Sequence, residues 1–157
     1  MQINQDEIVG EDAEDSQLLR GMATEAREYI AAFDWCPPIR RLSLGFGVGG
    51  VIALFHVEFT RAIDDVDSEL WVVVGDLPSA YFVYQGNEDP AVALECYCGL
   101  MEEWAMAARD DESVEECFPV DAEPTRENAE ALLSRIAFIR RELVPDARAE
   151  EGLEKEQ

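Results

Sequence analysis

Gly45, Gly47 and Gly50, within LGFGVGGVIALFHVEF (residues 44–59), have the G-x-G-x-x-G spacing of a dinucleotide-binding loop. Asp64, Asp65 and Asp67 follow at about the distance at which such folds hold a ribose. That chemistry needs a helix to begin beside the glycines, so that its free N–H groups meet the pyrophosphate. Ser43, His56 and Glu58 are the residue types of a hydrolytic triad, which requires a base oriented by a third group and an oxyanion hole. Asp65, Asp67 and Glu69 alternate like the start of a calcium loop. Its sixth position would be Leu70 where the loop needs glycine, and its twelfth Asp76 where a bidentate glutamate is usual, so an acidic turn fits better.

The elements that must carry these residues decide between the chemistries. Leu42, Leu44, Phe46 and Val48 alternate with small or polar residues, and Val51, Ala53, Phe55, Val57 and Phe59 alternate again after Gly49-Gly50. Period two on both sides of a Gly-Gly pair predicts a β-hairpin with a two-residue turn. In that register Val48 faces Val51, Phe46 faces Ala53, Gly47 faces Ile52, Gly45 faces Leu54, Ser43 faces His56 and Arg41 faces Glu58. Large residues meet small ones and opposite charges meet, as a correct register requires. A strand, not a helix, then follows the glycines. The glycines therefore read as packing residues, forming with Ile52 and Leu54 a shallow trench on the second face of the hairpin. Strand glycines weaken a sheet without some return. Ile52 and Leu54 are thus a candidate interface patch, covered by a helix of the same chain or by a second subunit.

The remaining pattern is regular. Leu19, Met22, Ala26, Tyr29, Ile30 and Phe33 place a helix over 14–33, ended by the paired prolines of DWCPPIR. ELWVVVGD and AYFVY read as two more strands around the turn GDLPS. Their aromatics, Trp71, Tyr81 and Tyr84, read as core in preference to a cation-binding set, as does Trp104. Asp89 as N-cap and Pro90 at the first helical position open a helix whose inner stripe is Ala91, Leu94, Cys98, Met101, Ala105 and Ala108. A last helix follows Thr125, with Ala129, Leu132, Leu133, Ile136, Ile139 and Leu143 inward and Pro145 as its stop. The expectation is an α+β fold in which a four-stranded antiparallel meander is packed by three helices in the order α-β-β-β-β-α-α, a two-layer sandwich. One domain is expected over 14–145, flanked by an acidic, disordered N-terminal tail (1–13) and an acidic C-terminal tail (146–157).

Charge narrows the partners. The 157-residue chain carries 35 acids against 12 bases, a formal net charge of -23. Such a chain repels phosphate backbones and anionic lipid surfaces and attracts basic ones. No apolar run is long enough for a membrane span, and the acidic start lacks a signal-peptide pattern, so a cytoplasmic location is expected. Cys36, Cys96, Cys98 and Cys117 form no C-x-x-C pair, and with a single histidine they read as reduced, mostly buried thiols. No metal and no cofactor is expected.

The stretches ELWVVVGDLPSAYFV and YCGLMEEWA resemble small acidic bacterial proteins of uncharacterised families over roughly residues 40–143. The resemblance implies no chemistry, and no residue role follows from it. The function expected is a non-catalytic binding protein for a basic protein surface, of the immunity, inhibitor or secretion-chaperone kind. Asp110, Asp111, Glu112, Glu115 and Glu116 form its contact edge, and the protein is a monomer or homodimer. Two competing readings are a small-molecule or nucleotide-binding protein or enzyme using residues 45–50, and a structural homo-oligomeric module.

Overall fold

The computed structural model describes residues 8–63, 67–84 and 89–149. The acids expected as tails at 1–7 and 150–157, and Asp64 and Asp65 of the acidic turn, lie outside the described residues. The element order is helix, four strands, two helices, an α+β fold with one antiparallel sheet, as the sequence pattern predicts. The chain divides into two compact units, residues 1–88 and 89–157.

The first unit holds α1 (Ala13–Ala31), β1 (Ile39–Val48), β2 (Ile52–Phe59), β3 (Glu69–Gly75) and β4 (Ala80–Val83). The strands pair in sequence order, all antiparallel. Asp12 caps α1 by accepting from the Asp15 N–H. The buried stripe Leu19, Met22, Ala23, Ala26 and Ile30 packs on a sheet face made of Leu42, Ala53, Phe55, Val57, Phe59, Leu70, Val72 and Val74. Ile8, within the stretch expected as tail, joins this core at 4% exposure.

The hairpin departs from its expected register at two places, once between Ile39, which pairs with Phe59, and Arg41, and again between Leu44 and Phe46. Arg41↔Glu58, Leu42↔Val57, Ser43↔His56 and Leu44↔Phe55 pair as predicted, but then Phe46 faces Leu54, Gly47 faces Ala53 and Val48 faces Ile52. Gly45 is the extra residue, a β-bulge. The turn correspondingly takes three residues, with Gly50 at φ +80° and the Val51 N–H donating to the Val48 carbonyl at 2.9 Å. The expected single trench is therefore divided between the two faces. Gly47 turns to α1, where a Cβ would lie 2.6 Å from Leu19 Cδ2. Gly45 meets the Trp71 ring, where a Cβ would lie 2.8 Å from Cζ3. Phe46 moves to the opposite face and is buried there, as are Ile52 and Leu54, neither of which has any exposed surface.

In the second unit, α2 (Pro90–Arg109) is capped by Asp89 and α3 (Arg126–Phe138) by Thr125, both as expected. Pro145 does not stop the last helix, because residues 144–149 continue it. A π-helical turn, Ile139–Leu143, precedes the proline, with the Val144 N–H bonded to the Ile139 carbonyl. The wider turn accommodates a ring that would otherwise clash with the preceding carbonyl. Val144 and Ala147, beyond the expected end, are buried. Among the described residues, no helix is long and apolar enough to cross a membrane.

The bulge gives a test with two signs. Gly45→Ala forces a Cβ against a rigid indole and within 3.3 Å of the Leu54 carbonyl, and is expected to cost about 1–3 kcal/mol by overpacking. Gly21→Ala in α1 meets nothing within 4 Å and is expected to gain about 0.5–1 kcal/mol. Urea unfolding of the two variants checks both; equal effects would mean that residue 45 is not packed as described.

Candidate functional site

The chemistry-bearing side chains of the sheet gather at the end of the hairpin away from its turn, on the face opposite α1. β1 supplies Ser43, and β2 supplies His56 and Glu58 at alternate positions, so both β2 side chains share one face. β3 lies beside β2 in a register that sets Trp71 opposite His56 and Glu69 opposite Glu58. Tyr84, just after β4, is fixed by its N–H donating to the Glu69 carbonyl at 3.2 Å.

His56 is held from two directions. Its ring stacks on Tyr84, with centroids 4.1 Å apart and planes 20° apart, and lies 5.6 Å from the Trp71 ring. Its Nε2 is 2.9 Å from Glu69 Oε1. Glu58 faces Arg40, with Nη2 3.6 Å from Oε1. Arg40 is largely exposed, and a pair that long in water contributes little. Glu58 and Glu69 oppose each other directly across β2 and β3, an arrangement of like charges that destabilises a sheet. A ring nitrogen of His56 and one oxygen from each of Glu58 and Glu69 lie within 4.8 Å of one another, and all three residues are half-buried.

Ser43, His56 and Glu58 thus come together as the hairpin register requires, but the carboxylate bonded to the imidazole is Glu69, which sequence reasoning did not place here. Glu69 enters only through the β2–β3 pairing, a contact between segments separated by residues 60–68. ELWVVV, apolar on both faces as a central strand is, was the available signal that it pairs beside IALFHVEF. Of the calcium-loop spacing, Asp65 lies outside the described residues, Leu70 onward runs as β3, and Glu69 turns to His56. At the glycines no helix begins. β2 follows, so the structural requirement of the dinucleotide fingerprint is unmet.

The five acids of the expected contact edge lie at the end of α2 and in the loop after it, and all are exposed. Asp110 is the C-cap of α2 and accepts from Arg109 Nε at 3.2 Å. The Asp111 N–H donates to the Ala108 carbonyl and the Glu112 N–H to the Ala107 carbonyl, which closes the helix in a Schellman turn. Asp111 occupies the left-handed position of that turn, φ 58°, where glycine is usual.

The cysteines are less buried than expected. Cys98 is buried, Cys36 and Cys117 are half-buried, Cys96 is exposed, and none is in a disulfide. Burial pushes the Cys98 thiol up to about 12, opposed by Arg140 and reinforced by Glu95 and Glu102. Arg140 itself bridges those acids, with Nη1 2.6 Å from Glu102 and Nε 3.5 Å from Glu95. In the first unit burial likewise pushes the Tyr29 hydroxyl up to about 12, with a smaller contribution from Tyr81.

Comparison of the chain with protein-family models, with curated proteins and with solved structures finds no match.

Cys98 makes stability depend on pH. The unfolded thiol ionises near 9.0 while the folded one stays neutral to about 12, so its contribution is complete below the unfolded value and is lost as pH rises toward the folded one. Urea midpoints measured between about pH 8 and pH 11 should fall with pH, less steeply in Cys98→Ala. Parallel slopes in the two proteins would refute this role for Cys98.

Proposed function

We propose that the protein is a non-catalytic binding module for a basic protein surface, and that the acidic end of α2 with the loop after it is its contact edge. The observation that carries this reading is Asp111. A carboxylate sits at the left-handed closing position of a Schellman turn, where a non-glycine residue costs on the order of 1 kcal/mol. It also sits at the negative end of the α2 dipole, beside Asp110 and Glu112, where a further negative charge is unfavourable. Glycine would relieve both penalties. A site that holds acids against its own stability matches one that recovers the cost on meeting cations. The net charge of -23 would add long-range attraction and speed the encounter. Inhibitor, immunity and secretion-chaperone roles all use such an edge, and a cytoplasmic location belongs to the same proposal.

Asp111→Gly separates stability from binding. The variant is expected to unfold at a higher temperature than the parent while capturing less basic protein from a native extract at moderate salt. Neutralising Asp110, Glu112, Glu115 and Glu116 as well should abolish the capture. Capture of acidic proteins only, or basic capture unchanged in the neutralised variant, would contradict the proposal.

A further inference from the structure

We infer that His56, Glu58 and Glu69 form a binding site for a divalent transition-metal ion, with Zn²⁺ as the best-matched member of that class. The site belongs to the first unit and is independent of the acidic edge of α2.

Three features support it. First, the donor set is right. One imidazole and two carboxylates are ordinary ligands of Zn²⁺ and its first-row neighbours, and three protein ligands leave a position for water or an incoming ligand. Second, the spread is right. Bonds of about 2.0–2.2 Å set tetrahedral donors roughly 3.3–3.6 Å apart. The three donor atoms already lie within 4.8 Å of one another, so small rotations of two glutamate side chains close the site. Third, the scaffold is preorganised. His56 and Glu58 stand two residues apart on β2, and Glu69 faces Glu58 from β3. The imidazole plane is set by the Tyr84 ring at 4.1 Å.

The unbound arrangement is also poorly neutralised. Glu58 and Glu69 face each other as like charges. Among the described residues, Arg40 pairs with Glu58, at 3.6 Å and from an exposed position. A divalent ion would neutralise both carboxylates and take Nε2 in place of its hydrogen bond to Glu69. Acidic surfaces attract cations generally, so the claim concerns the histidine: a diffuse ion atmosphere does not coordinate an imidazole nitrogen.

The chain has one histidine, so its imidazole resonances report this site alone. In ¹H–¹⁵N spectra of the full chain titrated with Zn²⁺, the His56 Nε2 resonance is expected to move to a coordinated position and saturate near a single equivalent, with the thiols blocked beforehand. Glu58→Gln/Glu69→Gln should weaken the response at least about 10-fold, and Glu58→Gln alone, which leaves the His56–Glu69 bond intact, should weaken it measurably. Backbone amide spectra identify any variant that has lost its fold. Zn²⁺ uptake with the imidazole resonances unmoved would overturn the inference, because the ion would then sit on surface carboxylates. An equal response in the Glu58→Gln variant would also overturn it, because the histidine would be acting without that carboxylate.

Discussion

The close approach of α1 to the glycine backbone of the β1–β2 hairpin is the constraint on which the first unit depends. Leu19 lies over Gly47, and Leu18 and Asp15 lie over Gly49, each so near that a Cβ on the glycine would overlap the helix side chain. Asp15 joins the two elements. Its Oδ1 accepts the Gly49 N–H at 2.7 Å while its Oδ2 accepts the Glu11 N–H at 2.8 Å. One carboxylate in the first turn of the helix thus satisfies the turn of the hairpin and the chain entering the helix, where the helix dipole also favours a negative charge. With α1 held there, its apolar stripe covers Phe55, Val57 and Val72. The bulge at Gly45 is the corresponding adjustment in the strand. It turns Gly47 to the helix and sends Phe46 to the other face, so that each glycine lies beneath a bulky side chain.

Much of this was legible in the sequence, for local reasons. Alternation over 42–48 and 51–59 specifies strands. The Asp89-Pro90 and Thr125 caps specify helix starts. Arg41 opposite Glu58 fixes half of the hairpin register, although the ion pair to Glu58 comes from Arg40. The other half was not legible, because the bulge is fixed by side chains distant in sequence. Gly45 faces Trp71 from β3 and Gly47 faces Leu19 from α1, and neither contact has a periodicity of its own. Unshifted pairing matched volumes nearly as well, so nothing within residues 41–59 separated the two registers. Pro145 misled for a related reason. A proline ends a regular α-helix, but a π-turn immediately before it leaves room for the ring, and no sequence signal marks that turn. Ile8 was hidden by its acidic neighbours, although one isoleucine is enough to bring the chain before α1 into the core.

The site chemistry follows the same division. The hairpin brings Ser43, His56 and Glu58 together, as expected from the strand pattern, and β3 supplies the carboxylate that changes their meaning. Through Glu69 the imidazole is bonded to an acid from the next strand and not to its own hairpin partner, Ser43. The sheet thereby assembles a nitrogen and two carboxylates in place of a hydrolytic set. The acids at the end of α2 are of a different kind: exposed, and held in part against the preference of the helix that carries them. The two clusters carry the two separate proposals, one for a small cation and one for a basic surface.

A bulge at Gly45 sets the register of the hairpin's turn half, and with it both the seat of α1 and the burial of Phe46. Cross-strand proton contacts in solution read that register directly. Nuclear Overhauser effects are expected to connect Leu44 with Phe55 and Phe46 with Leu54, together with contacts from the Leu19 methyls to the Gly47 α-protons. An uninterrupted ladder pairing Phe46 with Ala53 and Gly45 with Leu54, without the Leu19–Gly47 contact, would contradict the account.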